Sequence, residues 1–108
     1  SDSKATTLDV SNFDTSNVTD MSWMFSRSQA TTIDLSSFDT SKVTNMSYMF
    51  NNCSTLGQLE LKEKFYTNLV TDMSYMFNEC NNLREINLKS SSLYVQKSFW
   101  KEVPFGAK

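Results

Sequence analysis

Hydrophobic and polar positions along the chain fall into two kinds of segment that take turns. Four short stretches, Leu8-Asp9-Val10, Ile33-Asp34-Leu35, Leu59-Glu60-Leu61 and Ile86-Asn87-Leu88, alternate apolar with polar. Period-two alternation puts successive side chains on opposite faces, so each stretch predicts a short strand buried on one side. Between them an eight-residue phrase runs three times, as Val18 to Phe25, Val43 to Phe50 and Val70 to Phe77, varying only between Asp and Asn and between Trp and Tyr. On a helical wheel Val18, Met21 and Phe25 share one face with Met24 at its margin, as do Val43, Met46 and Phe50, and Val70, Met73 and Phe77. Ser16, Ser41 and Asn68, all N-cap residue types, stand before these phrases, so a short helix is expected after each. Phe13, Phe38 and Phe65 sit at the turn between strand and phrase and are expected as core anchors.

Met21 to Met46 spans 25 positions and Met46 to Met73 spans 27, a period proper to leucine-rich arrays of about 20–29 residues. The phrase closes as Phe50-x-x-Cys53-x-x-Leu56-x-x-Leu59-x-Leu61 and again as Phe77-x-x-Cys80-x-x-Leu83-x-x-Ile86-x-Leu88, with Cys in the Asn/Cys slot of that pattern. The expected fold is α/β: a short right-handed β/α solenoid of leucine-rich-repeat type, with a parallel sheet of about four short strands plus short helices. About three and a half repeats occupy residues 1–89. Residues 90–108 drop the phrase but carry Leu93, Val95, Phe99, Trp100, Val103 and Phe105, too apolar for a free linker. They are expected to cover the last rung as a C-terminal cap, or to form a degenerate repeat.

Composition removes function classes. A net charge of −2 and a pI near 5.0 leave no basic field for nucleic acid, and no run of about 18 apolar residues offers a membrane span. Histidine is absent, which removes His-based triads, Cys-His dyads and the usual zinc sites. The two glycines, Gly57 and Gly106, build no phosphate loop. No cluster supplies a base, nucleophile or metal centre, so the chain is expected to be non-enzymatic, without cofactor or metal. Around Asp9, Asn12, Asp14, Asn17 and Asp20 the spacing matches neither an EF-hand nor a Gly-rich calcium roll, so these residues are expected in caps and turns. The repeat is already running by Leu8, as expected of a segment of a longer chain.

Repeated columns are the remaining candidates for function. The middle strand residues Asp9, Asp34, Glu60 and Asn87 are expected to form a ladder on the outer sheet face, with neighbours about 4.8 Å apart. This face reads either as a solvated surface that keeps the sheet from aggregating or as a partner-binding face. Trp23, Tyr48 and Tyr75 form an aromatic column. On a helix it would be exposed and able to stack on sugars or bind protein, and in a tighter turn its rings would pack between units. Cys53 and Cys80, in equivalent slots, read as free buried thiols or as a disulfide.

The phrase Ser11-Asn12-Phe13-Asp14-Thr15-Ser16-Asn17-Val18-Thr19-Asp20-Met21, with its later copies, resembles the BspA-like leucine-rich repeat family of bacterial surface proteins, over about Leu8 to Leu88. The third unit departs from the pattern, with Phe65-Tyr66-Thr67-Asn68-Leu69 where the others read Phe-Asp-Thr-Ser. The resemblance implies an extracellular protein of the bacterial surface, used in cell adhesion or host contact. Its implied partners are a host matrix protein, a mucin-type glycan or another surface protein, with the chain expected to act as a monomer. A structural stalk that holds another domain away from the cell is the alternative.

Overall fold

The computed structural model describes residues 6–61, 64–88 and 97–104. Four three-residue strands, β1 (Thr7–Asp9), β2 (Thr32–Asp34), β3 (Gln58–Glu60) and β4 (Glu85–Asn87), form one parallel sheet in chain order. Register follows the repeat: Leu8 pairs with Ile33, Ile33 with Leu59 and Leu59 with Ile86. Each apolar strand residue therefore lies against its counterpart, and Ile33, Leu35, Leu59 and Leu61 are fully buried. One hydrophobic core runs through the stacked units and takes in Val43, Met46, Met49, Phe50, Cys53, Leu56, Phe65 and Met76, none of them exposed to solvent.

The octapeptides are not helices. Each is a run of overlapping reverse turns with bonds of the Met24 N–H to Met21 O kind, at 3.2 Å, followed by Ser26 to Trp23 and Ser28 to Phe25 at 3.1 Å. Alternate N–H groups leave the unit altogether. Met21, Trp23, Phe25 and Arg27 donate to the carbonyls of Asn45, Ser47, Met49 and Asn51 at 2.7–3.1 Å, and Met46, Tyr48, Phe50 and Asn52 donate in the same way to Asp72, Ser74, Met76 and Asn78. Eight residues are too few to sustain an isolated helix in water, whereas this ladder satisfies the same donors and ties the units together. Ser16 and Ser41 accordingly cap no helix, and their N–H groups donate instead to Asp14 and Asp39.

The one helix among the described residues is α1 (Lys97–Glu102). Its Phe99 is fully buried and stands edge-on to Phe65 and to Phe77, each at 5.7 Å. That contact closes the C-terminal end of the core. Leu93, Val95 and Phe105, and the greater part of the expected cap, lie outside the described residues. At the other end Phe13 departs from its expected role as a core anchor, being 55 % exposed while Phe38 and Phe65 are covered.

Truncating a central core residue should leave a cavity lined by two neighbouring units. Met46→Ala and Phe50→Ala are each expected to cost about 2–5 kcal/mol, measured as a fall in the urea midpoint at unchanged m-value.

Candidate functional site

Three sets of side chains recur in register on the surface, each fixed by the backbone beneath it. On the outer sheet face Asp9, Asp34, Glu60 and Asn87 follow one another across the strands, as the alternation predicts. They do not present a uniform acidic row. Asp9 and Asp34 turn back onto their own chain, each accepting the N–H of a serine two residues on, Ser11 and Ser36, at 2.9 Å. Glu60 is nearly buried and accepts a hydrogen bond from the Gln58 amide, while Asn87 is half-buried.

The second set is the aromatic column. Trp23 stacks on Tyr48 at 4.1 Å with the rings 3° from parallel, and Tyr48 on Tyr75 at 5.1 Å and 23°. Packing between units and exposure coexist here, since Trp23 remains 52 % and Tyr75 56 % exposed. Tyr48 is stacked on both faces and half-buried, whereas the end rings Trp23 and Tyr75 are each stacked on one face. Two residues further on, Phe25, Phe50 and Phe77 form a parallel column inside the core, at 5.7 and 5.4 Å. Trp23, Tyr48 and Tyr75 occupy the left-handed region, with φ of 63°, 58° and 56°. A bulky side chain there costs about 1 kcal/mol or more against glycine. Sequence reasoning missed this conformation, because these turns carry aromatics where glycine or asparagine is the usual signal. Arg27, Asn52 and Glu79 repeat it four positions on.

The third set is a family of aspartate-centred turns. Asp20 Oδ1 accepts both the N–H and the hydroxyl of Ser22, at 2.9 and 2.7 Å. Asn45 does the same for Ser47 and Asp72 for Ser74, and Asp14 binds Ser16 in like manner. The signal was present as a recurrent Asp-x-Ser, at Asp9, Asp14, Asp20, Asp34, Asp39 and Asp72. The Ser22, Ser74 and Ser16 hydroxyls, followed by their backbone N–H groups, hold the carboxyls of Asp20, Asp72 and Asp14 below the ordinary value of 3.8. Ser41 does so for Asp39, and the Ser11 backbone leads for Asp9. These carboxylates are acceptors for turns, and among the described residues no group of three or more His, Cys, Asp or Glu is placed to hold a metal ion.

Cys53 and Cys80 are free and buried. Their thiols donate to the carbonyls of Phe25 and Phe50 in the preceding units, at 3.1 and 3.0 Å. Hydrogen bonding of its protonated form to the neighbouring Cys53 sulfur, and then burial, push the Cys80 thiol up, so it is protonated at neutral pH. Threonines tie the units together as well. Thr44 and Thr71 hydroxyls donate to the carbonyls of Thr19 and Thr44, and buried Thr40 donates to Tyr66 O at 2.8 Å. No helix among the described residues is long and apolar enough to cross a membrane.

A family model described as "Mycoplasma protein of unknown function, DUF285" matches residues 1–100. No curated protein and no solved structure matches the chain.

Two outcomes follow from the turns. A carboxyl held low in the folded state stabilises the fold above its unfolded value, and that contribution is lost as pH falls through the folded value. Melting temperature should therefore drop as pH is lowered below about 4. The double variant Asp20→Asn with Asp72→Asn should keep the neutral-pH fold, since Asn45 already serves this turn, and should show a shallower acid slope. Separately, Tyr48→Gly should be more stable than Tyr48→Ala by about 1 kcal/mol, because both lose the stack but only glycine relieves the left-handed backbone. Chemical denaturation of the two variants measures the difference.

Proposed function

For this chain, which belongs to the DUF285 family of Mycoplasma proteins of unknown function, we propose a non-enzymatic binding module, a short leucine-rich solenoid displayed at the bacterial surface for adhesion or host contact. The solenoid reading is supported by the 25- and 27-residue period, by the burial of Cys53, Leu56, Leu59 and Leu61 in the leucine-rich pattern and by the parallel stacking of successive units. Its resemblance to BspA-like surface repeats supports the location and the adhesive role.

One observation carries the binding reading. Three large aromatics stand at positive φ, where glycine would be less strained, with Trp23 and Tyr75 exposed and Tyr48 half-buried between them. The fold accounts for the positive φ, but the choice of an aromatic over glycine at these surface positions is better explained by use. Tyr48 spends both ring faces on its neighbours while Trp23 and Tyr75 each stack on one, so the column as a whole offers a strip of ring edges that suits an extended protein segment, which favours a matrix or surface protein over a mucin-type glycan. The outer column of Asp9, Asp34, Glu60 and Asn87 offers less, because its carboxylates cap turns or lie nearly buried.

The structural stalk is the second reading. It is favoured by the same inter-unit ladder and ring stack, which stiffen the array along its axis.

Immobilised matrix proteins and mucin-type glycans should be probed with the wild-type chain, Tyr48→Ser and Asp34→Lys. The expected result is binding to a protein ligand that falls at least about tenfold in Tyr48→Ser, as for an aromatic anchor, and less in Asp34→Lys. Binding that survives both changes would remove the column as the contact surface, and absence of binding throughout would leave the stalk.

A further inference from the structure

Along each turn the side chains alternate, with Met21 and Phe25 in the core and Trp23 and Arg27 exposed. The ring column Trp23, Tyr48 and Tyr75 is therefore flanked by a second column, Arg27, Asn52 and Glu79, four positions on and in the same left-handed conformation. On the other flank, bridges from Asp20 to Asn45 and from Asn45 to Asp72 hold a third column in register. These flanks change from unit to unit. Trp23 stands between Asp20 and Arg27, Tyr48 between Asn45 and Asn52, and Tyr75 between Asp72 and Glu79. Charge beside the rings thus passes from balanced, through neutral, to doubly negative.

The negative end is also the place where a ring face is open. Tyr48 is stacked on both sides, whereas Tyr75 stacks on Tyr48 alone and is 56 % exposed. The following chain covers the inner column here, with Phe99 edge-on to Phe77, and leaves Tyr75 uncovered. Asp72 and Glu79 are exposed, and among the described residues no lysine or arginine pairs with either. Asp72 accepts the N–H and hydroxyl of Ser74 through Oδ1, which leaves Oδ2 for a ligand. An aromatic face is itself the negative part of the ring's charge distribution. Three features that each attract a cation therefore meet at one position.

We infer that the open face of Tyr75, between Asp72 and Glu79, seats a cationic side chain, a lysine or arginine of an extended protein segment lying along the ring column. This rests on the column being the contact strip, and it names the chemistry of the partner. A cation at this end gains the ring and both carboxylates. At Trp23 the same group would meet Arg27. A second copy of the chain fits the strip poorly. With the two stacks antiparallel, Arg27 meets Glu79 but Asp20 meets Asp72, and with them parallel, Asp20 meets Arg27 but Asp72 meets Glu79. Each two-fold arrangement opposes as many like pairs as it gains unlike ones, a cost that a basic segment does not carry.

The test titrates the full chain with octalysine and with octalysine acetylated on every Nζ, followed by NMR. The two probes share length and stem and differ in charge. Octalysine is expected to shift the Tyr75 ring resonances, and the acetylated probe to leave them in place. Tyr75→Leu and Glu79→Gln should each weaken octalysine binding by about threefold or more, while Tyr75→Phe keeps it. Asp14→Asn removes an equal charge elsewhere on the surface and should leave binding nearly unchanged. Glu79→Gln, at an exposed site with no bond to lose, keeps the test independent of any loss of folding in Tyr75→Leu. Equal losses in Glu79→Gln and Asp14→Asn would reduce the attraction to a diffuse one and overturn the assignment. So would octalysine binding indifferent to Tyr75→Leu in a folded variant, or equal shifts from the acetylated probe. Matrix-protein binding that falls in Tyr48→Ser but not in Glu79→Gln would overturn the cation site and leave the strip standing. Octalysine binding that depends on Tyr75 and Glu79 supports the site even where matrix binding ignores Tyr48, an outcome that removes the strip alone.

Discussion

Backbone hydrogen bonds that run between units, and not within them, govern the rest of this structure. When Met21, Trp23, Phe25 and Arg27 send their N–H groups to the next unit, each octapeptide is locked to its neighbour one position out of step, and every side chain meets its own copy. The two aromatic columns, the core methionines and the threonine ladder are consequences of that locking. A helix would have satisfied the same donors internally and left packing alone to hold the units in register.

The locking places a steric demand on the chain. Alternate residues must face the neighbouring unit while the chain turns, which forces Trp23, Tyr48 and Tyr75 into the left-handed region. Glycine would meet that demand with less strain but could not stack. Ring stacking across units offsets part of the cost, and the aspartate-serine turns immediately before the rings fix the backbone that leads into them. The surface column thus stands on a backbone conformation that the stacking of units requires, with Trp23 and Tyr75 exposed at its two ends.

Such an array has ends, and here they are unlike. Phe99 is aromatic and edge-on, and it finishes the phenylalanine columns at one end. Phe13 and Met24 leave the equivalent surface open at the other. Inter-unit bonds run both ways, with alternate octapeptide N–H groups donating to the next unit and those of Thr44 and Thr71 donating to the unit before. Stability within the stack should accordingly rise away from Phe13, toward the second unit, where Phe38, Phe50 and Met49 are enclosed on both sides.

The strands were legible in the sequence because alternation at Leu8-Asp9-Val10 and its copies is a local property, and a 25- to 27-residue period leaves one natural register for them. The identity of the core was equally legible in Val43, Met46, Phe50, Leu59 and Leu61, since apolar residues in every copy have nowhere else to go. The conformation of the octapeptide was not. A Val-x-x-Met-x-x-x-Phe spacing fits a helical face, and only the presence of a neighbouring unit to accept alternate N–H groups makes the turned form preferable. Exposure of Phe13 was hidden for the same reason: its type and position match Phe38 and Phe65, and what differs is whether another unit lies beyond it. Local sequence therefore determined which residues repeat and which are apolar, while the tertiary stack decided which hydrogen bonds form, which rings touch and which face stays open, because those depend on a partner one repeat away.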